Sequence, residues 1–172
     1  SCTLPYSDIG RLNSAHGAEV GIDGETADLL SSALAYCAKS AGRFDITIGP
    51  LSRLWNCKRR IAPSPEQISL ALEHVDWRNL SIGHRDPTEG GVRLGRTATA
   101  RLADPLASVD LGGIAKGWIA DKARGIMKAH GVASFILNLG GNIVACGQRP
   151  GGEPWRVGVK NPFAPDSYVQ CM

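Results

Sequence analysis

Two short connections near the end of the chain constrain its fold more than any other feature. Residues 134–138, 143–146 and 155–160 are apolar stretches of strand length. They are separated only by Leu139-Gly140-Gly141-Asn142 and by Arg149-Pro150-Gly151-Gly152-Glu153-Pro154. A parallel crossover needs about a dozen residues, so linkers this short predict antiparallel pairing. Upstream, Ala27, Leu30, Leu34 and Ala38 recur at helical spacing and predict an amphipathic helix over 25–41, with Gly42 as its stop. Ser64-Pro65-Glu66-Gln67 carries a capping-box signature for a helix running to residue 74. Ile114, Trp118, Ile119, Ala123, Ile126 and Met127 predict a third helix over 114–130, closed by Gly131. Residues 80–82 and 92–94 read as short strands flanking a hairpin with Pro87 and Gly90-Gly91, and 168–172 read as the start of another strand with an open or externally paired edge. Helices with an antiparallel meander give an α+β class, antiparallel strands packed with helices, in one domain over 1–172.

At 172 residues the chain is long enough to bury a core without disulfides or a structural metal. Its 19 basic and 16 acidic residues leave a formal charge of +3, and apart from Lys58-Arg59-Arg60 the basic residues are scattered, which argues against a nucleic-acid partner. No apolar run reaches the roughly 18 residues that span a bilayer, so no transmembrane segment is expected. Five cysteines without a C-x-x-C pair and four dispersed histidines form neither a disulfide framework nor a zinc site, and read as packing thiols and surface imidazoles.

Four segments carry the polar chemistry. In Ser108-Val109-Asp110-Leu111-Gly112-Gly113-Ile114-Ala115-Lys116-Gly117, a short apolar stretch and two glycines open a helix, which sets free N–H groups and the positive end of the helix dipole beside Lys116. That suits a phosphate, and Asp110 can accept from a ribose or ring N–H. A plain strand-to-helix turn with a solvated Lys116 explains the same residues. In Arg43-Phe44-Asp45-Ile46-Thr47-Ile48-Gly49-Pro50-Leu51, alternation sets Asp45 and Thr47 opposite Phe44, Ile46 and Ile48 on an extended segment that Pro50 ends. Asn138-Leu139-Gly140-Gly141 is either a backbone-amide contact or a hairpin turn, and Ser7-Asp8 caps a short turn ending at Arg11-Leu12-Asn13.

In that order, and with Trp77-Arg78, Asp121, Pro154-Trp155-Arg156-Val157-Gly158-Val159 and Asn161-Pro162, these blocks resemble the FAD:protein FMN transferases, the ApbE family, over nearly the whole chain. The resemblance implies an α+β flavin-transferase fold. It also implies an enzyme that takes FAD, usually with Mg²⁺, and moves FMN onto a Thr or Ser of a target flavoprotein, releasing AMP. Arg43, Phe44, Asp45, Asp110 and Lys116 correspond to FAD contacts, the Gly113 carbonyl to one metal ligand, and Asn138 with its glycines to a wall of the site. Thr3 stands where the family commonly has an aromatic residue on the flavin.

The family pattern also includes a strand before Ser1 and, past residue 172, a Thr-Ser-Gly, a His-containing and an Asp-x-x-x-Thr segment that supplies the metal's side-chain ligands. These 172 residues are therefore expected to be catalytically incomplete, needing a missing C-terminal segment or a second chain. Three functions follow: the transferase core, an FAD-binding module or FAD pyrophosphatase-like homologue without transferase activity, and a structural half. By resemblance the location is the periplasmic or cell-envelope side.

Overall fold

Ser7 opens the first helix: its hydroxyl accepts the Gly10 N–H at 3.0 Å, and Asp8–Asn13 follows as α1. The computed structural model describes residues 4–55, 61–84, 88–89, 92–93 and 98–171. It comprises two units, Ser1–Gly113 and Ile114–Met172. In the first unit the chain runs on through β1 (Val20–Ile22), α2 (Gly24–Lys39), α3 (Gly49–Ser52) and α4 (Pro65–Leu72), then a 3₁₀ turn at Trp77–Asn79. After it come β2 (Leu80–His84), β3 (Thr88–Glu89), β4 (Val92–Arg93) and β5 (Ala98–Leu102).

The sheet of this unit is antiparallel with order β1-β5-β2, and Ala100 of β5 faces Val20 on one side and Ile82 on the other. α1 and α2 pack on it. Ala98 and Ala100 on the central strand meet a helix whose buried residues are Ala27, Leu30, Ala33 and Cys37. Small side chains on both partners let helix and strand approach closely, and Ile22, Leu80, Leu102, Ile9 and Leu12 complete the core. The buried stripe of α2 thus passes through Ala33 and Cys37, whereas the sequence predicted Leu34 and Ala38; against an alanine-rich strand the smaller residues turn inward. Burial pushes the Cys37 thiol up from its ordinary range, so this cysteine packs and does not react.

α4 carries the predicted capping box, with the Gln67 N–H on Ser64 Oγ at 3.3 Å and the Ser64 N–H on Gln67 Oε1 at 2.9 Å. Two expectations change. β2 pairs with β5 over its whole length, not across a hairpin with residues 92–94, and β3 pairs with β4. Pro87, Gly90-Gly91 and Leu94 lie outside the described residues, as do Lys58-Arg59-Arg60, Cys2, Cys57 and Met172. Residues 44–49 are not a regular strand either. Ile46 and Thr47 are both fully buried, Ile48 turns outward, and Pro50 sits in the first turn of α3 instead of ending the segment.

What residues 46–49 do instead is pair in parallel with 108–110. The Gly49 N–H donates to Ser108 O at 3.0 Å and the Asp110 N–H to Ile46 O at 2.8 Å. Glycine is required at 49, because a Cβ there would meet Ser108 Oγ and stand 2.5 Å from its carbonyl oxygen.

In the second unit α5 (Ala115–Ala129) is followed by β6 (Phe135–Leu139), β7 (Asn142–Cys146), β8 (Gly158–Asn161) and β9 (Ala164–Cys171). β6 and β7 form an antiparallel hairpin whose Gly140 and Gly141, at φ 62° and 93°, make the two-residue turn that the glycine pair predicts. The three-strand meander is not formed. β8 pairs with β9, which begins before the predicted residue 168, and Trp155 is no strand residue: its Nε1–H donates to Cys146 O at 3.0 Å and ties down the end of β7. α5 faces β6 and β7 through buried Ala120 and half-buried Ala123 and Met127, while Ile119 and Ile126 stay exposed. Among the described residues no helix is long and apolar enough to cross a membrane.

His74, just past α4, lies with Nδ1 2.8 Å from Asp104 Oδ2, and the Leu106 N–H donates to Asp104 Oδ1 at 2.8 Å. The Leu106 N–H first, and the His74 ring after it, hold this carboxyl below the ordinary carboxylate range against the opposing effect of burial. Because the folded value is lowered, the stabilisation is complete above the ordinary carboxylate pKa and is lost as pH falls through the folded value. Asp104→Ala should cost about 1 kcal/mol near neutral pH, and the gap from wild type in urea midpoints should close as the pH is lowered into the acid range. Gly49→Ala should cost about 2 kcal/mol in the same assay, whereas Gly117→Ala, in open space on α5, should be neutral or stabilising.

Candidate functional site

The polar segments of the first unit converge because α2 ends in a tight left-handed reversal. Ala41 and Gly42 adopt φ 53° and 78°, and the Gly42 N–H returns to Cys37 O at 2.9 Å. Ser40 Oγ then accepts the Phe44 N–H at 2.9 Å, which delivers Arg43, Phe44 and Asp45 in succession to one edge of the unit. Arg43 is exposed, and among the described residues its guanidinium has no ion-pair or hydrogen-bond partner.

Both carboxylate oxygens of Asp45 are engaged. Its Oδ1 accepts the Thr47 N–H and the Thr47 hydroxyl, each at 2.7 Å, and its Oδ2 accepts the Trp77 N–H at 3.0 Å. One carboxylate thereby folds the 45–47 turn and ties it to the turn before β2. The polar pair that alternation picked out is real, but its members bond to each other, with Thr47 buried. The Trp77 Nε1 is buried without a partner among the described residues, and the Arg78 guanidinium lies 4.9 Å from the Trp77 ring.

The 108–113 segment lies alongside. Beyond the parallel pairing, Val109 is held from its other edge by the Asn13 side chain: Nδ2 donates to Val109 O at 3.0 Å, and the Val109 N–H donates to Oδ1 at 2.7 Å. Asp110 then turns the chain, accepting the Gly112 N–H on Oδ1 at 2.8 Å and the Ser52 hydroxyl on Oδ2 at 3.2 Å. Ser108 is anchored by the Arg53 guanidinium, which also donates to Gly49 O at 3.1 Å. The turn brings Gly113 against Phe44, so close that a Cβ at 113 would stand 3.1 Å from Phe44 Cε2.

Arg43, Phe44, Asp45, Asp110 and Gly113 therefore belong to one cluster, while Gly112 and Gly113 remain exposed. Such an edge offers an aromatic ring, an exposed cation and approachable backbone, which suits a planar ligand carrying negative charge. Ser52 and Arg53 were not singled out by the sequence, and Asn13 only as the end of a capped turn. They act over separations of 55 to 96 residues, for which local pattern gives no signal.

Lys116 and Asn138 belong to the second unit. Lys116 lies exposed in the first turn of α5, which has no side-chain N-cap and no acidic residue in that turn, leaving its N–H groups open to an anion. Asn138 is exposed, and its Oδ1 accepts the Gly141 N–H at 2.8 Å, bracing the β6–β7 turn. Thr3 lies outside the described residues. Among the described residues no group of three His, Cys, Asp or Glu gathers as a metal site.

Compared with known proteins, the chain matches the model of the ApbE family over residues 1–172. It is 34% identical over 167 residues to the FAD:protein FMN transferase of Treponema pallidum, covering 91% of this chain and 44% of that relative. It is 30% identical over 152 residues to the FAD:protein FMN transferase of Salmonella typhimurium, covering 85% of this chain and 40% of that relative. The crystal structure of the ApbE protein from Thermotoga maritima matches with a TM-score of 0.80 at 30% identity, over 100% of this chain and 53% of its own. The apo flavinyl transferase ApbE of Pseudomonas stutzeri matches with a TM-score of 0.73 at 28% identity, over 95% of this chain and 49% of its own. The α+β fold is thus that of ApbE flavin transferases, and the chain spans less than half the length of the two named relatives.

Proposed function

The chain belongs to the ApbE family, and from that premise we propose that it forms the FAD-holding part of an FAD:protein FMN transferase. The observation that carries the proposal is the seating of Phe44 on Gly113, which unites two segments that the resemblance assigns to FAD. In the proposed reaction a Thr or Ser hydroxyl of a target flavoprotein attacks the FMN phosphorus of FAD. The new O–P bond forms as the bond from that phosphorus to the bridging oxygen breaks; AMP leaves with the electron pair, and the hydroxyl proton passes to solvent. Charge grows on the bridging oxygen, so cations and N–H groups placed beforehand are the protein's main contribution.

Roles follow from what each group has free. Arg43, exposed and without an ion-pair partner among the described residues, supplies positive charge to the diphosphate, and the resemblance carries Lys116, likewise exposed on the second unit, as a further FAD contact. Phe44 gives the flavin an apolar face; for the second unit, the resemblance alone carries Asn138 with Gly140 and Gly141 as a wall. Asp45 and Asp110, already accepting from backbone and hydroxyl donors, shape the edge and offer their remaining lone pairs to ribose or ring N–H groups. Thr3 is a further proposed flavin neighbour.

The resemblance also carries Mg²⁺, but the described residues do not fit an ion cage. The Gly113 carbonyl is one hard oxygen, whereas Mg²⁺ needs carboxylate or phosphate oxygens in return for its waters. We assign the ion's side-chain ligands to the share of the relatives' length that this chain does not span. A missing segment or a second chain would supply them, and the proposed setting is the periplasmic or cell-envelope side.

A second function is favoured by one observation: both carboxylates of the edge are engaged internally, which leaves no free general base among them. That suits an FAD-binding module; an FAD pyrophosphatase-like homologue, with water in place of the target hydroxyl, is the other alternative. The two separate in one assay. The chain with its flanking gene sequence, incubated with FAD, Mg²⁺ and a Thr-containing target peptide, should release AMP and leave the peptide fluorescent. Arg43→Ala should raise the KM for FAD about tenfold. AMP without a fluorescent peptide would select the pyrophosphatase; neither product, with saturable flavin quenching at roughly tens of micromolar FAD, would select the binding module.

A further inference from the structure

We propose that Asn13 is a positioning residue for the flavin edge, acting through the Val109 peptide. It deepens the FAD-binding proposal and rests on it for the ligand alone. Asn13 is the last residue of α1, half-buried, and its side-chain amide makes both backbone hydrogen bonds of Val109, one donated at 3.0 Å and one accepted at 2.7 Å. That pair is what a neighbouring strand would provide, and no strand runs there among the described residues.

The opposite edge of the same ribbon is paired with residues 46–49. Val109 is buried to 1% exposure, so its peptide groups have no water to fall back on. Asp110, Gly112 and Gly113 follow directly, and with them the seat of Phe44. An amide is the suitable group at 13, because only a side chain with a donor and an acceptor side by side satisfies an N–H and a C=O of one residue.

That requirement gives a test that simple loss of packing would not pass. In Asn13→Asp the ionised carboxylate still accepts the Val109 N–H but faces the Val109 carbonyl oxygen with a second acceptor. The protonated acid restores a donor. Asn13→Ala removes both bonds at any pH.

Two measurements are made on wild type and both variants at about pH 8 and about pH 4: hydrogen exchange of a peptide covering 107–113, and FAD affinity by flavin quenching. Asp8, Arg11 and His16 around α1, Asp45 beside the partner segment, and Asp104 and Asp110 on either side of the ribbon are present in all three proteins. The ratio of variant to wild type at each pH therefore isolates residue 13.

Asn13→Ala should exchange 107–113 about tenfold faster than wild type and bind FAD about tenfold more weakly at both pH values, with α2 exchange unchanged. Asn13→Asp should match it at pH 8 and return towards wild type at pH 4, near the ordinary aspartate pKa of about 3.9. Unchanged exchange in 107–113 in both variants would overturn the proposal, as would wild-type FAD affinity in variants whose ribbon exchanges faster. A defect in Asn13→Asp that pH does not move, or variants that lose α2 protection as well, would reduce Asn13 to a general structural role and overturn it too. If wild type itself fails to quench flavin, the FAD-binding proposal falls, and the exchange ratios alone decide whether Asn13 positions the ribbon.

Discussion

Residues 108–110 run through the interior of the first unit without belonging to a sheet, and their peptide groups must be satisfied there or not at all. A buried peptide N–H or C=O left unpaired costs on the order of 1–3 kcal/mol, so a ribbon of this kind exists only where partners are exact in place on both edges. Two unlike partners meet the need: the backbone of 46–49 on one side and a single side chain on the other. The demand propagates. Glycine is required at 49 because the paired chains come so close, and Asp110 must turn immediately because the ribbon ends there.

The same frame sorts the charges of the edge. Asp45 and Asp110 accept from N–H and hydroxyl donors and serve as fixed turns. Arg43 is left unpaired at that edge among the described residues; in the second unit, considered by itself, Lys116 is unpaired too, and α5 begins with neither a capping side chain nor an acid. A lysine in the first turn of a helix opposes the dipole and stabilises nothing by itself. Its place is understandable where an anion is to be held.

Much of this was legible in the sequence where the cause is local. Ser7, the Ser64 and Gln67 capping box, Gly42 and Gly131 mark helix ends by groups that lie within a few residues, and Gly140-Gly141 defines its hairpin by left-handed backbone alone. β1 and β5 were not legible. β5 reads Ala-Thr-Ala-Arg-Leu, whose alternation is correct but whose small side chains lack the bulk by which a strand is recognised. The first half of the buried stripe of α2, Ala27 and Leu30, was legible, and the second half was misplaced by one residue for the matching reason, since a helix resting on alanines turns its own small residues inward. In the site, ordered family blocks identified the segments, but not that Asp45 and Thr47 satisfy each other or that Asn13 reaches Val109; those depend on which distant backbone comes to lie alongside.

The separation of 96 residues between Asn13 and Val109 has a consequence for how the molecule assembles. During synthesis α1, the sheet's first strand and the 44–49 turn are all complete while the ribbon that must dock on them is still unmade. Closing so long a loop costs entropy before any bond repays it. The edge that carries Phe44 therefore takes its shape only once residues 108–113 arrive, and because Val109 and Leu111 also belong to the core, a chain held short of residue 108 lacks both the edge and part of the core.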